Sequence, residues 1–206
     1  MNRLPLLLTA LRAALGPLVL LLAYVHPDPA AFGAALVAAF ASDYFDGVLA
    51  RRLGVATAGL RRLDSLADTI FYVSAALAAW HLTPGPLAAR GPALLVLASL
   101  EFIRYLVDLR KFGREASYHM WSSKAWGVAL FAGFYALLAL RIDSWAVDAA
   151  VYVGIIADLG GLAISIVLPT WKNDVPTILL ALRIRESARR RGPDAPGRDA
   201  SSAGSR

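Results

Sequence analysis

The 206 residues contain no cysteine. Disulfides, thiolate metal sites and cysteine nucleophiles are therefore excluded, and the redox compartment is left open. Charge is scarce as well. Asp, Glu, Lys and Arg make up 17% of the residues, and hydrophobic residues 58%, whereas soluble domains carry about 25% charged residues. An ordinary soluble domain is excluded on that balance, and the mean hydropathy is +0.56. The charges that remain lean basic, with a formal net of +6. They lie between apolar runs and in the tail, a distribution suited to anionic lipid headgroups and cytoplasmic loops rather than to nucleic acid.

Six apolar stretches follow one another, at 5–25, 30–50, 65–83, 91–109, 124–141 and 148–170. Each approaches the ~20 residues that span a bilayer, and a lipid-exposed segment must be helical to satisfy its own backbone. The expected fold is all-α, a polytopic membrane protein with six transmembrane helices in one domain, residues 1–171. The first run resembles a signal peptide, but Arg12 interrupts it and Tyr24-Val25-His26-Pro27-Asp28 offers no small-x-small cleavage site, so it is expected to be a retained helix. Arg51, Arg52, Arg61 and Arg62 lie in one loop, and Arg110, Lys111, Arg114 and Lys124 in another. The tail holds Lys172, Arg183, Arg185, Arg189, Arg190 and Arg191, while the opposite loops hold Arg90 and Arg141. Both termini are predicted to be cytoplasmic. Residues 172–191 are expected to contain a basic amphipathic helix, from about 175 with Pro176 near its first turn, and 192–206 a disordered tail. Trp80, Trp121, Trp126, Trp145 and Trp171 sit near helix ends, as an interfacial belt would.

The chemistry concentrates between Ser42 and Asp68. Asp43 and Asp46 are i and i+3 on one helix and share a face with Gly47 and Ala50; Asp64 and Asp68 are i and i+4 on the next. A buried membrane aspartate costs about 2.5–3.5 kcal/mol, and four together repel one another. Something cationic must sit among them. Mg²⁺ or Mn²⁺ fits, because hard cations take carboxylate oxygens, and two ions suit displacement at phosphorus. Gly47 and Ala50 keep that face bare, and Arg51 is placed to pair with a phosphate. A single aspartate at a helix end is usually just solvated; it is the set of four at these spacings that points to a site.

These residues resemble the CDP-alcohol phosphatidyltransferase family, whose mark is Asp-x2-Asp-Gly-x2-Ala-Arg-x8-Gly-x3-Asp-x3-Asp. The chain reads Asp43-Tyr-Phe-Asp46-Gly47-Val-Leu-Ala50-Arg51, then Asp64-Ser-Leu-Ala-Asp68, with Leu60 where the second glycine belongs and Gly59 one place early. Leu8-Thr9-Ala10-Leu11-Arg12 with Pro17 is similar to the family's first-helix signature, although Leu6 stands where an asparagine is common, and Lys124 is similar to the lysine usual in the fifth helix. The resemblance implies a divalent-metal-dependent transferase of phospholipid synthesis that moves a phosphatidyl group from a CDP-diacylglycerol-type donor to a small polar alcohol and releases CMP. Asp43, Asp46, Asp64 and Asp68 would hold Mg²⁺ or Mn²⁺, with Asp68 also the general base. Asp43, Gly47, Ala50, Arg51 and Thr57 would line the CDP moiety. Members often pair as homodimers, and the Ala-, Leu- and Arg-rich composition suits a bacterial inner membrane.

An anionic acceptor would find Arg104, Arg114 and Lys124 on the cytoplasmic side, residues that also serve as positive-inside charge. Glu101 is i, i+3 from Arg104, in reach of an ion pair. Asp158, beside Gly160 and Gly161, is deep in the last run and reads equally as a site or as a buried partner for an arginine. Rival readings are an intramembrane prenyltransferase, disfavoured because both aspartate pairs fall in one hairpin; a metal-ion transporter, for which only Asp158 speaks; and a family member made inactive by Leu60.

Overall fold

The computed structural model describes residues 4–53, 58–114, 118, 120–172 and 175–191, and all regular structure among them is helical. The elements are α1 Leu4–Val25, α2 Pro29–Arg52, α3 Ala58–Leu82, α4 Pro84–Ala89, α5 Gly91–Phe112, α6 Trp121–Phe134, a π-helical continuation Tyr135–Leu140, α7 Trp145–Val167 and α8 Ile178–Arg191. Their ends follow local chemistry. Asp28 caps α2, its Oδ1 accepting from the Ala30 amide at 3.0 Å and its carbonyl from Phe32 at 3.1 Å, with Pro29 in the first helical position. Gly113, at φ +67°, closes α5 in the left-handed conformation that favours glycine. Arg141, at φ +57°, ends the π segment.

Among the described residues, four stretches are long and apolar enough to cross a membrane: Leu4–Val25, Pro29–Leu49, Trp121–Leu140 and Trp145–Val167. The chain is thus an all-helical membrane protein. The other two expected spans are present as helices of ample length, α3 with 25 residues and α5 with 22. In α5 Glu101, Arg104 and Asp108 are too many charges for a span on composition, and in α3 the stretch after Asp64, which still holds Asp68 and His81, falls short in hydropathy.

Burial in α1 reads inside out for a soluble protein. Pro5, Thr9, Arg12, Gly16, Val19 and Ala23 form one buried stripe at alternating spacings of four and three, and it contains the polar residues. Leu7, Leu18 and Leu21 lie on the opposite, exposed side. Water would penalise such a surface, whereas lipid accepts it. Trp80, Trp121 and Trp145 are exposed, as expected of a belt, whereas the indole of Trp126 donates to the Ala150 carbonyl at 3.0 Å.

The chain divides into two compact units, residues 1–95 with 126–153, and residues 96–125 with 154–206. The first has a core of Leu15, Val19, Ala23, Phe32, Leu36, Phe71, Ala75, Ala79, Leu137, Leu138 and Val147. Its many alanines let helix backbones approach, which is how helices associate where no hydrophobic effect drives them together. Helix α1 approaches α3 closely at Gly16, where a Cβ would lie 3.0 Å from the Ile70 carbonyl oxygen and 3.1 Å from the Phe71 Cα. Within the same unit Arg90 forks onto Asp148, with Nε to Oδ1 at 2.7 Å and Nη2 to Oδ2 at 2.8 Å, and meets Asp143 at 2.9 Å. Those hydrogen bonds, Asp148 first, hold the Arg90 pKa above its ordinary value.

The second unit is built on Met120, Ile164, Leu168, Val175 and Ala181. Lys111 donates to the carbonyls of Ser165 and Ile166 at 2.8 and 2.7 Å, which satisfies the open C-terminus of α7. The basic helix starts later than the expected 175. Thr177 caps it, its carbonyl accepting from Ala181 at 3.3 Å and its hydroxyl from Leu180 at 3.4 Å, so Val175 and Pro176 precede α8. The tail from 192 lies outside the described residues.

Candidate active site

Three helices of the first unit supply one polar cluster. The buried stripe of α1 presents Thr9 and Arg12; α2 presents Ser42, Asp43 and Asp46; α3 presents Asp64 and Asp68. The two aspartate pairs share faces as their spacings required. All four carboxylates converge on the guanidinium of Arg12. Its Nη1 lies 3.0 Å from Asp43 Oδ1, 3.0 Å from Asp64 Oδ1 and in hydrogen-bond contact with Asp68 Oδ1. Its Nη2 donates to Asp46 Oδ2, and its Nε to Ser42 Oγ at 3.4 Å. Thr9 Oγ1 also donates to Asp46 Oδ2 at 3.4 Å.

The exposures divide the cluster into a floor and a rim. The Arg12 side chain is 1% exposed and that of Asp46 6%, whereas Asp43, Asp64 and Asp68 are 50%, 35% and 36% exposed. A ligand can therefore reach three carboxylates without opening the packing that holds Arg12.

Charge and donor count show what the cluster still needs. Among the described residues, four carboxylates face one guanidinium. Nη1 has two N–H bonds yet stands against three carboxylate oxygens. The oxygen left over is Asp64 Oδ1, buried and without a hydrogen bond although Nη1 is only 3.0 Å away. A buried unpaired carboxylate oxygen is costly, and a cation is the natural remedy. Asp43, Asp64 and Asp68 each offer an oxygen within 4.8 Å of the others. Oxygens on opposite sides of one Mg²⁺ stand about 4 Å apart, given bonds of 2.0–2.1 Å. The donor set, all carboxylate, suits Mg²⁺ or Mn²⁺. On both counts the residues fit a divalent ion, and Asp46 borders the group from the floor.

Other expected residues are placed less tellingly. Gly47 is half-buried on α2, one turn beyond Asp43. Ala50 and Arg51 belong to α2, but their side chains, and Thr57 entirely, lie outside the described residues. Leu60 is half-buried in the first turn of α3, and a Cβ on Gly59 would meet nothing within 4 Å. The three candidate acceptor residues fall in the second unit, each with a partner of its own. Arg104 donates to Glu101 at 2.6 Å, the i, i+3 pair its spacing allowed, and its Nε stands 3.5 Å from Asp158. Arg114 lies over Trp171 and Lys124 over Trp121. Asp158 is thus the buried neighbour of an arginine. An open groove of about 570 Å³ is lined by uncharged residues, among them Pro29, Gly33, Val37, Tyr135 and Ala139.

From sequence, Arg12 stands only as an interruption of the first apolar run and as part of the first-helix signature, with no place among the aspartates. The available signal was that interruption itself: an arginine inside a spanning helix needs an anion, and the chain has four aspartates grouped nearby.

A family model described as CDP-alcohol phosphatidyltransferase matches residues 2–182. The chain belongs to the CDP-alcohol phosphatidyltransferase family. No curated protein and no solved structure matches it. As a CDP-alcohol phosphatidyltransferase it is a phosphotransferase-family membrane protein of phospholipid synthesis, from a family that generally depends on divalent metal. Asp43, Asp64 and Asp68 form a group that could bind such an ion.

Proposed function

We propose that the chain transfers a phosphatidyl group from a CDP-diacylglycerol-type donor to the hydroxyl of a small polar alcohol, with release of CMP. The observation that carries this is the meeting of Asp43, Asp46, Asp64 and Asp68 at one point, with three of them open on one side. In this reading Asp43, Asp64 and Asp68, with Asp46 beneath them, hold one or two Mg²⁺ or Mn²⁺ ions. When bound, the ions neutralise charge on the donor's phosphates and on departing CMP.

The remaining chemistry belongs to the chain. Asp68, at the rim, takes the proton from the acceptor hydroxyl as its oxygen attacks phosphorus. Gly47 and Ala50 give the nucleotide room beside α2, Arg51 pairs with a phosphate, and Thr57 offers a hydroxyl. The attack is direct, so no covalent phosphatidyl–enzyme forms. Arg104, Arg114 and Lys124 are kept as candidates for an anionic acceptor. Six spans with both termini in the cytoplasm would set this chemistry at the cytosolic face.

The test is to incubate the purified protein with CDP-diacylglycerol, Mn²⁺ and a panel of alcohols, and to measure CMP and the lipid formed. Mn²⁺-dependent CMP release with one acceptor is expected, and Asp68→Asn should lower it roughly 10²–10⁴-fold, the usual worth of a general base. Absence of CMP release with every acceptor would leave an inactive family member as the better reading. Radiolabelled phosphatidyl trapped on protein would rule out direct attack.

A further inference from the structure

We propose that Arg12 is the resident counter-ion of the aspartate cluster and competes with the divalent cation for it, yielding its contacts to Asp43, Asp64 and Asp68 when the ion loads. The proposal rests on the reading of that cluster as a metal site.

Its basis is the division of labour across one guanidinium. The Nη1 edge faces the three rim carboxylates, Asp43, Asp64 and Asp68, and the same three form the group that can hold an ion. The Nη2 and Nε edge faces the floor, Asp46 and Ser42. An ion bonded to the rim oxygens would lie within a few ångströms of Nη1, where two positive charges repel strongly in a site sheltered from water. Both cannot hold the rim at full strength. Arg12 cannot retreat into water either, since its side chain is 1% exposed. What it can give up is the rim edge, while Asp46, Ser42 and the packing of α1 hold the rest.

Competition fixes the sign of a measurement. A residue that merely shaped the site would, when removed, loosen metal binding. A residue that competes with the ion would, when removed, tighten it, while the metal-free protein would lose stability because four carboxylates are left facing one another. The metal-induced rise in melting temperature should grow accordingly, since stabilisation by a ligand follows its affinity for the folded state.

The experiment uses the full chain purified in detergent, stripped with EDTA and titrated with Mn²⁺, free ion being read by electron paramagnetic resonance and melting temperature followed in parallel. Arg12→Gln is expected to bind Mn²⁺ about tenfold or more tightly than the unsubstituted chain, to melt lower without metal and to gain more on adding it. Equal or weaker Mn²⁺ binding by Arg12→Gln overturns the proposal while leaving the metal site in place. Failure of both proteins to bind Mn²⁺ overturns the metal reading itself, and this inference with it. If Arg12→Gln does not fold, Arg12→Lys decides. Its ammonium is a compact point charge without the fork that spans rim and floor, so tighter binding is expected and unchanged binding overturns the proposal.

Discussion

Asp64 holds the charge that Arg12 leaves unbalanced. Its Oδ1 is buried without a hydrogen bond, and its neighbours include three further carboxylates around the same guanidinium. Removing that charge relieves repulsion without breaking a hydrogen bond to that oxygen. Asp64→Asn should therefore match or exceed the parent in melting temperature in EDTA, yet bind Mn²⁺ at least about tenfold more weakly, as losses of metal-supporting groups commonly do. A fall of several degrees in EDTA would make Asp64 a structural residue instead. The contrast with Asp46 is informative. That carboxylate is 6% exposed and accepts from both Thr9 and Arg12, so Asp46→Asn should lower the EDTA melting temperature, removing about 1.5–3 kcal/mol of charge-assisted bonding. The four aspartates were legible in the sequence because helical spacing alone puts each pair on one face. Arg12 was not. Its place depends on which face of α1 meets the α2–α3 hairpin, and that is a matter of tertiary packing that local periodicity does not record.

The helix crossing that puts Arg12 there turns on Gly16. One turn after Arg12 on the buried stripe of α1, it lets the α3 backbone approach so closely that an added Cβ would lie 3.0 Å from Ile70 O and 3.1 Å from Phe71 Cα. Backbone cannot swing aside as a side-chain tip can. Gly16→Ala is expected to cost about 1–3 kcal/mol as an overpacked site. It should also weaken Mn²⁺ binding, because Asp68 sits one turn before Phe71. Gly33→Ala is the control: its Cβ would meet Ala139 and Tyr135 at 3.5 Å, ordinary contact, so melting temperature should hold. Equal losses in the two variants would mean that added bulk in general, not the crossing, sets the effect, since helix propensity favours alanine over glycine at both sites. At this scale the apolar runs announced helices at all six places. Boundaries moved where short-range chemistry outweighed hydropathy. Helix α3 begins at Ala58, before its apolar run, which makes Asp64 an interior helical residue rather than a terminal one. Pro84-Gly85-Pro86, read as a gap, opens the short α4, proline being welcome in a first turn. Nothing in the sequence marked the π segment at Tyr135–Leu140.

Across the whole molecule, the question that α3 poses is whether a helix so charged crosses a membrane. Its 25 residues rise about 37 Å, more than the ~30 Å hydrocarbon layer. The charges Arg61, Arg62, Asp64 and Asp68 are confined to its first half, and Ala75, Ala78 and Ala79 in the second are buried in the core. Asp64 and Asp68 meet Arg12 rather than lipid, so the cost of carrying them is met inside the protein. A hydropathy window sees the charges and not their partner, and for that reason composition qualifies four spans where six are expected. The cysteine-free chain makes the matter directly measurable. Gly59 in the first turn of α3 and Gly85 just past its end are both exposed, and a Cβ at either would meet nothing within 4 Å, so each accepts cysteine without strain. In sealed vesicles of known orientation, a membrane-impermeant maleimide should label Gly59→Cys only from the cytoplasmic face and Gly85→Cys only from the other. Labelling of both from one face would mean that α3 does not cross, and the aspartates would then lie on a re-entrant or peripheral helix with the whole sidedness scheme reversed beyond it.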